Sequence, residues 1–515
     1  MDVSEQTTYR FGPLERAGFI LGLRVPQLVG FILAGLVALG FLNAGGFGGL
    51  VLAIAVVGLA TAILMVPLRG HTLDEWAPLT IRHLFGRFNG TTRFRAQRGQ
   101  AGHLAIVPDG ELDPEPVDEP TSVPAELAGL EYLESELPGY DDTPFGVIVD
   151  RRARTMTAVL RCQGQAFALL GAEERERRLA DYGGVLAALA RDDSPLRRIA
   201  WTERTLPANR DELGQYLMDH KRDDATLDNP PDELVSYFQL LRRSPDVAED
   251  HELMFSIQID TQRAAARRAT KRMGGGDKGA MAALASEVSQ IADLLDAAGI
   301  GVTGVLTRRG VSAVVRNAYD PWGRRQRERG GVAADGISPT TAGPMARDEH
   351  WSHVASDGAL HSTSWVAEWP RIDVRALFLQ PLLTSSQATR AVTMVMELVG
   401  PSTGIRRVER AATEAATNQS LRARIGQRTT QRDVQREEAT ERREHELAKG
   451  HAEVRFAAYV TVSVPAGPDA LDELEAAVAR VDLEAKRAPL RLERMWGQQA
   501  EAFTYGALPL GRGLA

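Results

Sequence analysis

Cysteine is almost absent from this sequence of 515 residues, in which Cys162 is the only one. A single thiol excludes an internal disulfide framework and any zinc site built on cysteines. Basic residues are too few to outweigh the acidic ones, because the formal net charge is −8. A body that binds nucleic acid directly needs a basic face, so this class of function is not expected.

The motifs that identify common enzyme classes are absent as well. The sequence has no P-loop, no Gly-x-Ser-x-Gly elbow, no His-Glu-x-x-His zinc motif and no Gly-x-Gly-x-x-Gly fingerprint. Residues 274–279 (GGGDKG) come nearest to a P-loop, but their spacing is wrong and the lysine precedes glycine. We interpret them as the loop before a helix. The sequence therefore predicts no catalytic residue, no cofactor, no metal and no enzyme activity.

Two charge-free apolar runs occur near the amino terminus, at residues 25–42 and 47–66. Their lengths of 18 and 20 residues match, as helices, a hydrocarbon core of about 30 Å. Four residues separate them, so we predict a transmembrane helical hairpin. The alternatives are a pair of buried core helices, or a signal peptide followed by one core helix.

Flanking charges predict the orientation of this hairpin. Three arginines precede the first run, six follow the second between residues 69 and 98, and the turn has no charge. The positive-inside bias then places both termini in the cytoplasm, as a multi-pass protein of the cell membrane. We assign Arg24, Arg69 and Trp76 to the membrane interface. Residues 69–98 form either a helix in the headgroup layer or the first helix of the body.

Beyond the hairpin, helix and strand patterns alternate and predict an α+β fold. The order β-β-α-β suits α/β (ferredoxin-like) sandwich units with a long polar helix. The predicted elements are a strand–turn–strand at 147–162, a helix at 173–191, strands at 197–205 and 253–259, a helix at 276–299, a hairpin at 302–315, helices at 385–398 and 404–448, a strand at 454–464 and a helix at 471–481.

These patterns divide the chain into eight segments. They are a cytosolic amino-terminal segment (1–24), the hairpin (25–66), a basic juxtamembrane segment (67–100), an acidic linker (101–143), two α/β units (144–230 and 231–321), a mobile insertion (322–349) and a carboxy-terminal α/β region with the long polar helix (350–515). The linker is predicted because residues 109–142 hold twelve Asp or Glu, five Pro and no Lys or Arg.

Residues 348–370 (DEHWSHVASDGALHSTSWVAEWP) hold three of the seven tryptophans and three histidines. One interpretation is a metal site, in which His350 and His353 share a helix face and His361, Asp357 or Glu368 completes the ligands. No zinc spacing is met, which disfavours this interpretation.

Two other interpretations of the same segment remain. It can be a structural strand pair with aromatic packing, or an interface, because aromatic residues concentrate binding energy. We favour the interface and assign Trp351, Trp365, Glu368 and Trp369 to partner binding. The long polar helix at 404–448 is predicted to belong to the same docking surface, since it has few apolar positions for its own core.

Several motifs carry a resemblance to conjugation systems. Residues 8–15 (TYRFGPLE), the hairpin and residues 72–76 (TLDEW) resemble the small PrgI-type inner-membrane proteins. The stretch 442–451 (RREHELAKGH), the strand at 454–464, residues 492–499 and 508–511 (LPLG) are similar to the amino-terminal, non-ATPase region of conjugation (type IV secretion) ATPases. The whole chain, including 365–371 (WVAEWPR), resembles an actinobacterial family of membrane proteins linked to such systems.

This resemblance implies a non-catalytic, membrane-anchored structural subunit of a conjugation or secretion machine. The expected partners are the lipid bilayer, a separate P-loop ATPase and other secretion-system subunits in an oligomeric complex, without direct contact to nucleic acid. Two alternatives stay open. One is an EccE-like subunit of type VII secretion, and the other is a membrane-bound enzyme with a site between His350 and Trp369.

Overall fold

The computed structural model describes residues 11, 25–43, 45–65, 72–96, 122–136, 144–164, 167–207, 235–236, 249–324, 327, 336–384, 388–407, 409–410, 413, 445 and 453–514. Within these residues, three helices form the amino-terminal part and one large antiparallel sheet with covering helices forms the body. The mixed helix and strand content predicted from the sequence is confirmed. Most of the predicted polar helix at 404–448 lies outside the described residues, as do Arg24 and Arg69.

The two apolar runs are helices that pack antiparallel. In α1 (Val25–Asn43), the Gln27 side-chain amide donates to the Leu64 carbonyl of α2 (Gly46–Met65) at 2.9 Å. At the other end, a Cβ on Gly49 would lie 2.3 Å from the Phe41 carbonyl oxygen, so the helices approach closely there. Of the helices that the structure describes, α2 is long and apolar enough to cross a membrane, whereas the apolar part of α1 is shorter. One of the two predicted spans is thus supported.

A third helix, α3 (Leu73–Phe88), connects this pair to the body. It begins with a capping contact, in which the Thr72 backbone N–H donates to the Glu75 carboxylate at 3.0 Å. It ends at Asn89, after which the short strand β1 (Arg93–Arg95) enters the sheet. Residues 69–98 therefore include a helix that packs on the body.

The body contains thirteen strands, counted over the described residues, in one sheet whose pairs are antiparallel. The strands after β1 are β2 (Leu130–Glu136), β3 (Pro144–Asp150), β4 (Thr155–Gln163), β5 (Leu196–Pro207), β6 (Glu249–Asp260), β7 (Gly301–Val305), β8 (Ala346–Glu349), β9 (Val354–Ser356), β10 (Ala359–Glu368), β11 (Arg390–Val399), β12 (Glu453–Pro465) and β13 (Arg491–Arg494). The helices after α3 are α4 (Ala172–Leu189), α5 (Ala264–Arg272), α6 (Gly276–Ala297), α7 (Arg308–Tyr319), α8 (Gln380–Leu383), α9 (Ala470–Arg487) and α10 (Gln499–Gly506).

The sheet contains the same strand order twice. Its path is β1-β8-β9-β10-β12-β11-β5-β6-β4-β3-β2, with β13 beside β10 and β7 beside β4. The strands β4 to β7, which we call the first repeat, lie in the order β7-β4-β6-β5. The strands β10 to β13, the second repeat, lie in the order β13-β10-β12-β11. The two repeats join where β5 pairs with β11, so residues predicted as separate units at 144–230 and 231–321 share the first repeat.

Both repeats bury their main helices on the same face of the sheet. In the first repeat, Leu284 of α6 packs over Ile257 in a core that is nearly free of solvent. In the second repeat, Leu474 of α9 packs over Val460. Met394 on the joining strand β11 contacts both cores, which links them into one apolar layer. The opposite face is covered by α7, α10 and the carboxy-terminal segment, whose residues include Val314, Phe503 and Leu508.

Two predicted secondary structures are wrong. The hairpin at 302–315 is instead β7 followed by α7, which starts where the Thr307 hydroxyl accepts the Gly310 N–H at 3.0 Å. The helix at 385–398 is instead the strand β11. This strand is buried on both faces and therefore lacks the polar–apolar alternation that usually identifies a strand.

Two segments predicted to be loose contribute to the body. Residues 122–136 of the predicted acidic linker form a turn and the strand β2, and the end of the predicted mobile insertion forms β8. They also hold each other, because the Arg347 guanidinium donates to the Glu126 carboxylate at 2.8 Å. Both side chains are more than nine-tenths buried, so the pair is a structural contact between these two segments.

Candidate functional site

The junction between the amino-terminal helices and the sheet is built on Trp351. The Trp76 ring of α3 stacks on the Trp351 ring with centroids 5.8 Å apart, and His83 meets the same ring edge-on at 5.2 Å. Gly497 lies beneath it, since a Cβ there would come within 2.5 Å of the Trp351 ring. We call these four residues the Trp351 junction.

An ion pair reinforces the junction. Arg82 of α3 donates to the Glu501 carboxylate on α10, and the Tyr505 hydroxyl donates to the same carboxylate at 2.5 Å. Burial alone would raise the pKa of Glu501, but its hydrogen bonds with Tyr505 and Arg82 outweigh burial and lower it. Glu501 is therefore charged at neutral pH and holds α3 against the body.

The other side of α3 exposes an apolar stripe. Ile81, Leu84, Phe85 and Phe88 follow the spacing i, i+3, i+4, i+7, which places them along one helix face. Their exposed fractions are 55%, 47%, 65% and 87%. The structure thus places Trp76 toward the body and this stripe toward the surroundings, although the sequence had singled out Trp76 for the membrane interface.

A second aromatic cluster includes Phe11, a described residue that precedes α1 in the chain. Phe11 lies 5.1 Å from Trp369 and 5.5 Å from Phe378, measured between ring centroids. Trp369 in turn meets Phe456 edge-on at 4.9 Å. We call these four residues the Trp369 cluster. Phe11 belongs to the TYRFGPLE motif, so this cluster fixes part of that motif on the second repeat.

The other two residues predicted for partner binding, Trp365 and Glu368, have their contacts within the second repeat and its neighbouring residues. Trp365 is half-buried on β10, opposite Tyr459 of β12 and Glu493 of β13. The Glu368 carboxylate accepts a hydrogen bond from Arg371 at 2.9 Å and forms an ion pair with Arg491 at 3.1 Å. Of the four predicted residues, Trp351 and Trp369 contact Trp76 and Phe11 of the amino-terminal part, whereas Trp365 and Glu368 contact residues of the second repeat.

Two of the three histidines of the same segment stack on each other, and the third has other partners. His350 and His353 stack at 4.4 Å, and burial, with His350 and Arg494 nearby, lowers the pKa of His353 to about 4. His361 is fully buried and shares hydrogen bonds with Ser356 at 2.9 Å and Ser463 at 2.8 Å. Across the described part of the chain, no group of three or more His, Cys, Asp or Glu side chains is arranged to hold a metal ion.

An opening in the first repeat lies away from the tryptophans. It is a cavity of about 400 Å³ between the β3–β4 turn, α5 and the start of α6. Its lining includes four basic side chains, namely Arg151, Arg154, Arg267 and Lys271. Sequence reasoning had noticed the glycines at 274–276 on its rim, but nothing in a single sequence shows that a turn 120 residues earlier lies beside them.

Sequence reasoning also missed Phe11, Arg82 and Glu501 as contact residues. Their partners are hundreds of positions away, and no local pattern connects them. No model of a known protein family matches this sequence, and no curated protein is significantly similar to it. The relation to conjugation and secretion systems therefore stays a prediction that depends on the motifs given above.

Proposed function

We propose that this chain is a non-catalytic, membrane-anchored structural subunit of a conjugation or secretion machine, and that its body docks a separate P-loop ATPase. The observation that carries the proposal is that α3, which follows the membrane-length apolar helix α2 in the chain, packs on a large sheet body through the Trp351 junction. A packed aromatic contact of this kind positions the body relative to the anchor rather than leaving it on a free tether.

The apolar surfaces of the amino-terminal part support the anchor. Large apolar side chains of α1 and α2, such as Leu36 and Ile54, are more than half exposed in the isolated chain. Such surfaces belong in a hydrocarbon environment. In the proposal α1 is the second span, and the exposed stripe of α3 lies in the headgroup layer, where an amphipathic helix next to a span is stable.

The body supports a scaffold role. Each repeat has the strand order 4-1-3-2 expected for a ferredoxin-like βαββαβ unit, and the second lies in the region that resembles the non-ATPase part of conjugation ATPases. We propose that both repeats are ferredoxin-like units. The two repeats share one continuous sheet, and we propose that this joined body offers the surface for partners.

Cysteine labelling tests the topology. A cysteine in place of Ala44 is expected to react with an impermeant thiol reagent from outside the cell, and one in place of Ser338 is not. The native thiol does not interfere, because burial raises the pKa of Cys162 to about 12. Labelling of both positions, or of Ser338 alone, would contradict the orientation.

Affinity purification tests the partner. Full-length protein extracted in detergent is expected to retain a P-loop ATPase of conjugation type, identified by mass spectrometry. Trp365→Ala should reduce its recovery, because Trp365 is half-buried and is not part of either amino-terminal contact. Leu169→Ala is the matched control, since Leu169 is an 87% exposed apolar side chain in the first repeat. A folded Trp365 variant that keeps the ATPase would contradict this assignment, and wild-type protein without any such ATPase would contradict the function.

A further inference from the structure

The cavity of the first repeat combines cationic side chains from separate segments. Arg151 and Arg154 belong to the turn between β3 and β4, whereas Arg267 and Lys271 lie one helical turn apart on α5. The Arg154 carbonyl accepts from both the backbone N–H and the hydroxyl of Thr261, at 3.0 and 2.9 Å. These contacts tie the turn to the start of α5, so the two cationic segments keep a fixed spacing.

The charge around the cavity is positive and not compensated internally. Four basic side chains and two carboxylates line it. Both carboxylates are engaged, because Asp277 pairs with Arg151 at 2.8 Å and Asp150 pairs with Arg512 at 2.6 Å. Over the described residues, Arg154, Arg267 and Lys271 have no ion-pair partner. Three free cations around one opening are notable in a chain whose net charge is −8.

The rim adds polar donors that suit an anion. The helix α6 starts at Gly276, so the unpaired N–H groups of its first turn and its dipole are directed toward the cavity. Gly275 and Gly276 also line this edge, and because glycine has no side chain the backbone is uncovered there. Thr155 and Thr270 contribute hydroxyl groups.

The apolar floor of the cavity and its volume restrict the chemistry and the size of the ligand. Val149, Met156 and Ala280 form an apolar patch beside the cations. A volume of about 400 Å³ exceeds what a single inorganic phosphate fills and lies in the range of small-molecule sites. The ligand should therefore carry a phosphate group and an additional, less polar part.

We propose that the first repeat binds a phosphorylated small molecule in this cavity, with its phosphate group held by Arg154, Arg267 and Lys271. Guanidinium and ammonium groups make charge-assisted hydrogen bonds to phosphate oxygens, and the start of α6 adds backbone donors. The proposal is separate from the docking of an ATPase, which concerns the second repeat.

Titration calorimetry on the full-length protein in phosphatidylcholine nanodiscs tests it, with pyrophosphate and ATP as probes. The double variant Arg267→Gln/Lys271→Gln should raise the Kd of both probes at least tenfold. The matched control is Arg268→Gln/Arg272→Gln, which removes the same charge from the same helix. All four side chains are exposed, but only Arg267 and Lys271 line the cavity. The control should change the Kd less than twofold.

Repeating the titration in discs that contain 20% phosphatidylglycerol distinguishes a free phosphorylated molecule from a lipid headgroup as the natural ligand. Unchanged binding there supports a free phosphorylated molecule. Weaker binding that depends on Arg267 and Lys271 supports a lipid headgroup as the natural ligand. The proposal is overturned if neither probe binds saturably in either disc, or if the two double variants weaken binding equally, since that result shows a diffuse charge effect.

Discussion

The connection between the third strand and the following helix carries opposite charge in the two repeats. In each repeat the first strand starts beside the end of the third, with Thr155 opposite Asp260 and Ala359 opposite Pro465. In the first repeat, α5 is inserted between the third strand and the following helix, and a cationic cavity opens there. In the second repeat, four residues connect β12 to α9, whose first turn carries Asp472 and Glu473.

This difference shows that the strand order alone does not produce the cavity. Acidic residues in the first turn of α9 compensate the helix dipole internally, which leaves little attraction for an external anion. At α6 the acidic residue of the first turn is bound by Arg151, and the inserted α5 supplies free cations. The second repeat instead holds Phe11 through the Trp369 cluster, and the Trp351 junction lies next to it, just outside its first and last strands.

The largest loss of stability should come from truncating a buried side chain in the core of either repeat. Leu284→Ala in the first and Leu474→Ala in the second each remove a fully buried side chain, which typically costs about 2–5 kcal/mol. Because β5 and β11 join the repeats and Met394 packs on both cores, each variant should lower one shared thermal transition.

Leu471→Ala serves as the control, since it lies on α9 but is 48% exposed and should change stability by less than about 0.5 kcal/mol. Two separate transitions in the calorimetric trace, each sensitive to one variant, would show that the repeats unfold independently and would break the comparison.

The next largest effect should be a pH dependence of stability that arises in the second repeat and has no counterpart in the first. His361 in the second repeat corresponds to Thr157 in the first, which does not titrate. Burial lowers the pKa of His361 from 6.5 to about 4, so between these values the unfolded chain binds more protons than the folded one. Stability should therefore fall as the pH drops from 6.5 toward 4, by up to about 3 kcal/mol.

His361→Asn should flatten this pH dependence in chemical denaturation at pH 7 and pH 5, at the cost of lower stability at pH 7. His353→Gln should reduce the slope by a similar amount, because burial lowers the pKa of His353 to about 4 as well, and the double variant should remove most of the slope. A wild-type profile that is flat over this range would be inconsistent with a neutral, buried His361.

A smaller effect is expected at the Trp351 junction. A double-mutant cycle of Trp76→Ala and Trp351→Ala should give a coupling energy of about 0.5–1.5 kcal/mol, which is typical of an aromatic pair. The same cycle with Phe85→Ala and Trp351→Ala should give no coupling, since Phe85 belongs to the exposed stripe of α3. Equal values in both cycles would mean that α3 does not dock through Trp76.

The last prediction is that one activity, ATP hydrolysis, is absent. Purified full-length protein should not hydrolyse ATP above background, because residues 274–279 lack the spacing and the Lys-Ser/Thr pair of a phosphate-transfer loop. Wild-type protein and Arg267→Gln/Lys271→Gln should release phosphate at the same low rate in a coupled assay. Turnover that persists through purification and disappears in the double variant would show that the first repeat is an enzyme.

Elements with a clear period were predictable from the sequence. The alternation at 454–464 and the three-and-four spacing at 276–299 predicted β12 and α6, and both are confirmed. The wrong predictions fall where periodicity is ambiguous. Residues of β11 such as Met394 and Met396 favour helices, but pairing with two strands overrides that preference. The run after Gly310 was too short to distinguish a strand from α7.

The candidate sites were less predictable, for a different reason. Composition alone identified the segment around Trp351 as important, but its partner Trp76 lies 275 positions earlier. The cavity depends on a turn, a helix and a glycine-rich loop that meet only when β4 pairs with β6. Patterns in a single sequence report local geometry. Contacts between distant segments depend instead on long-range strand pairing, which such patterns do not show.

The position of β2 has a consequence for solubility. Among the described strands it forms one border of the sheet, where unpaired backbone groups can recruit a strand from another molecule. Glu131, Glu134 and Glu136 are exposed along this border. Carboxylates along a border disfavour its approach to the same border of a second copy, although Arg151 partly compensates Glu131 at 2.7 Å. The acidic composition that suggested a linker thus acts as protection against edge-to-edge aggregation.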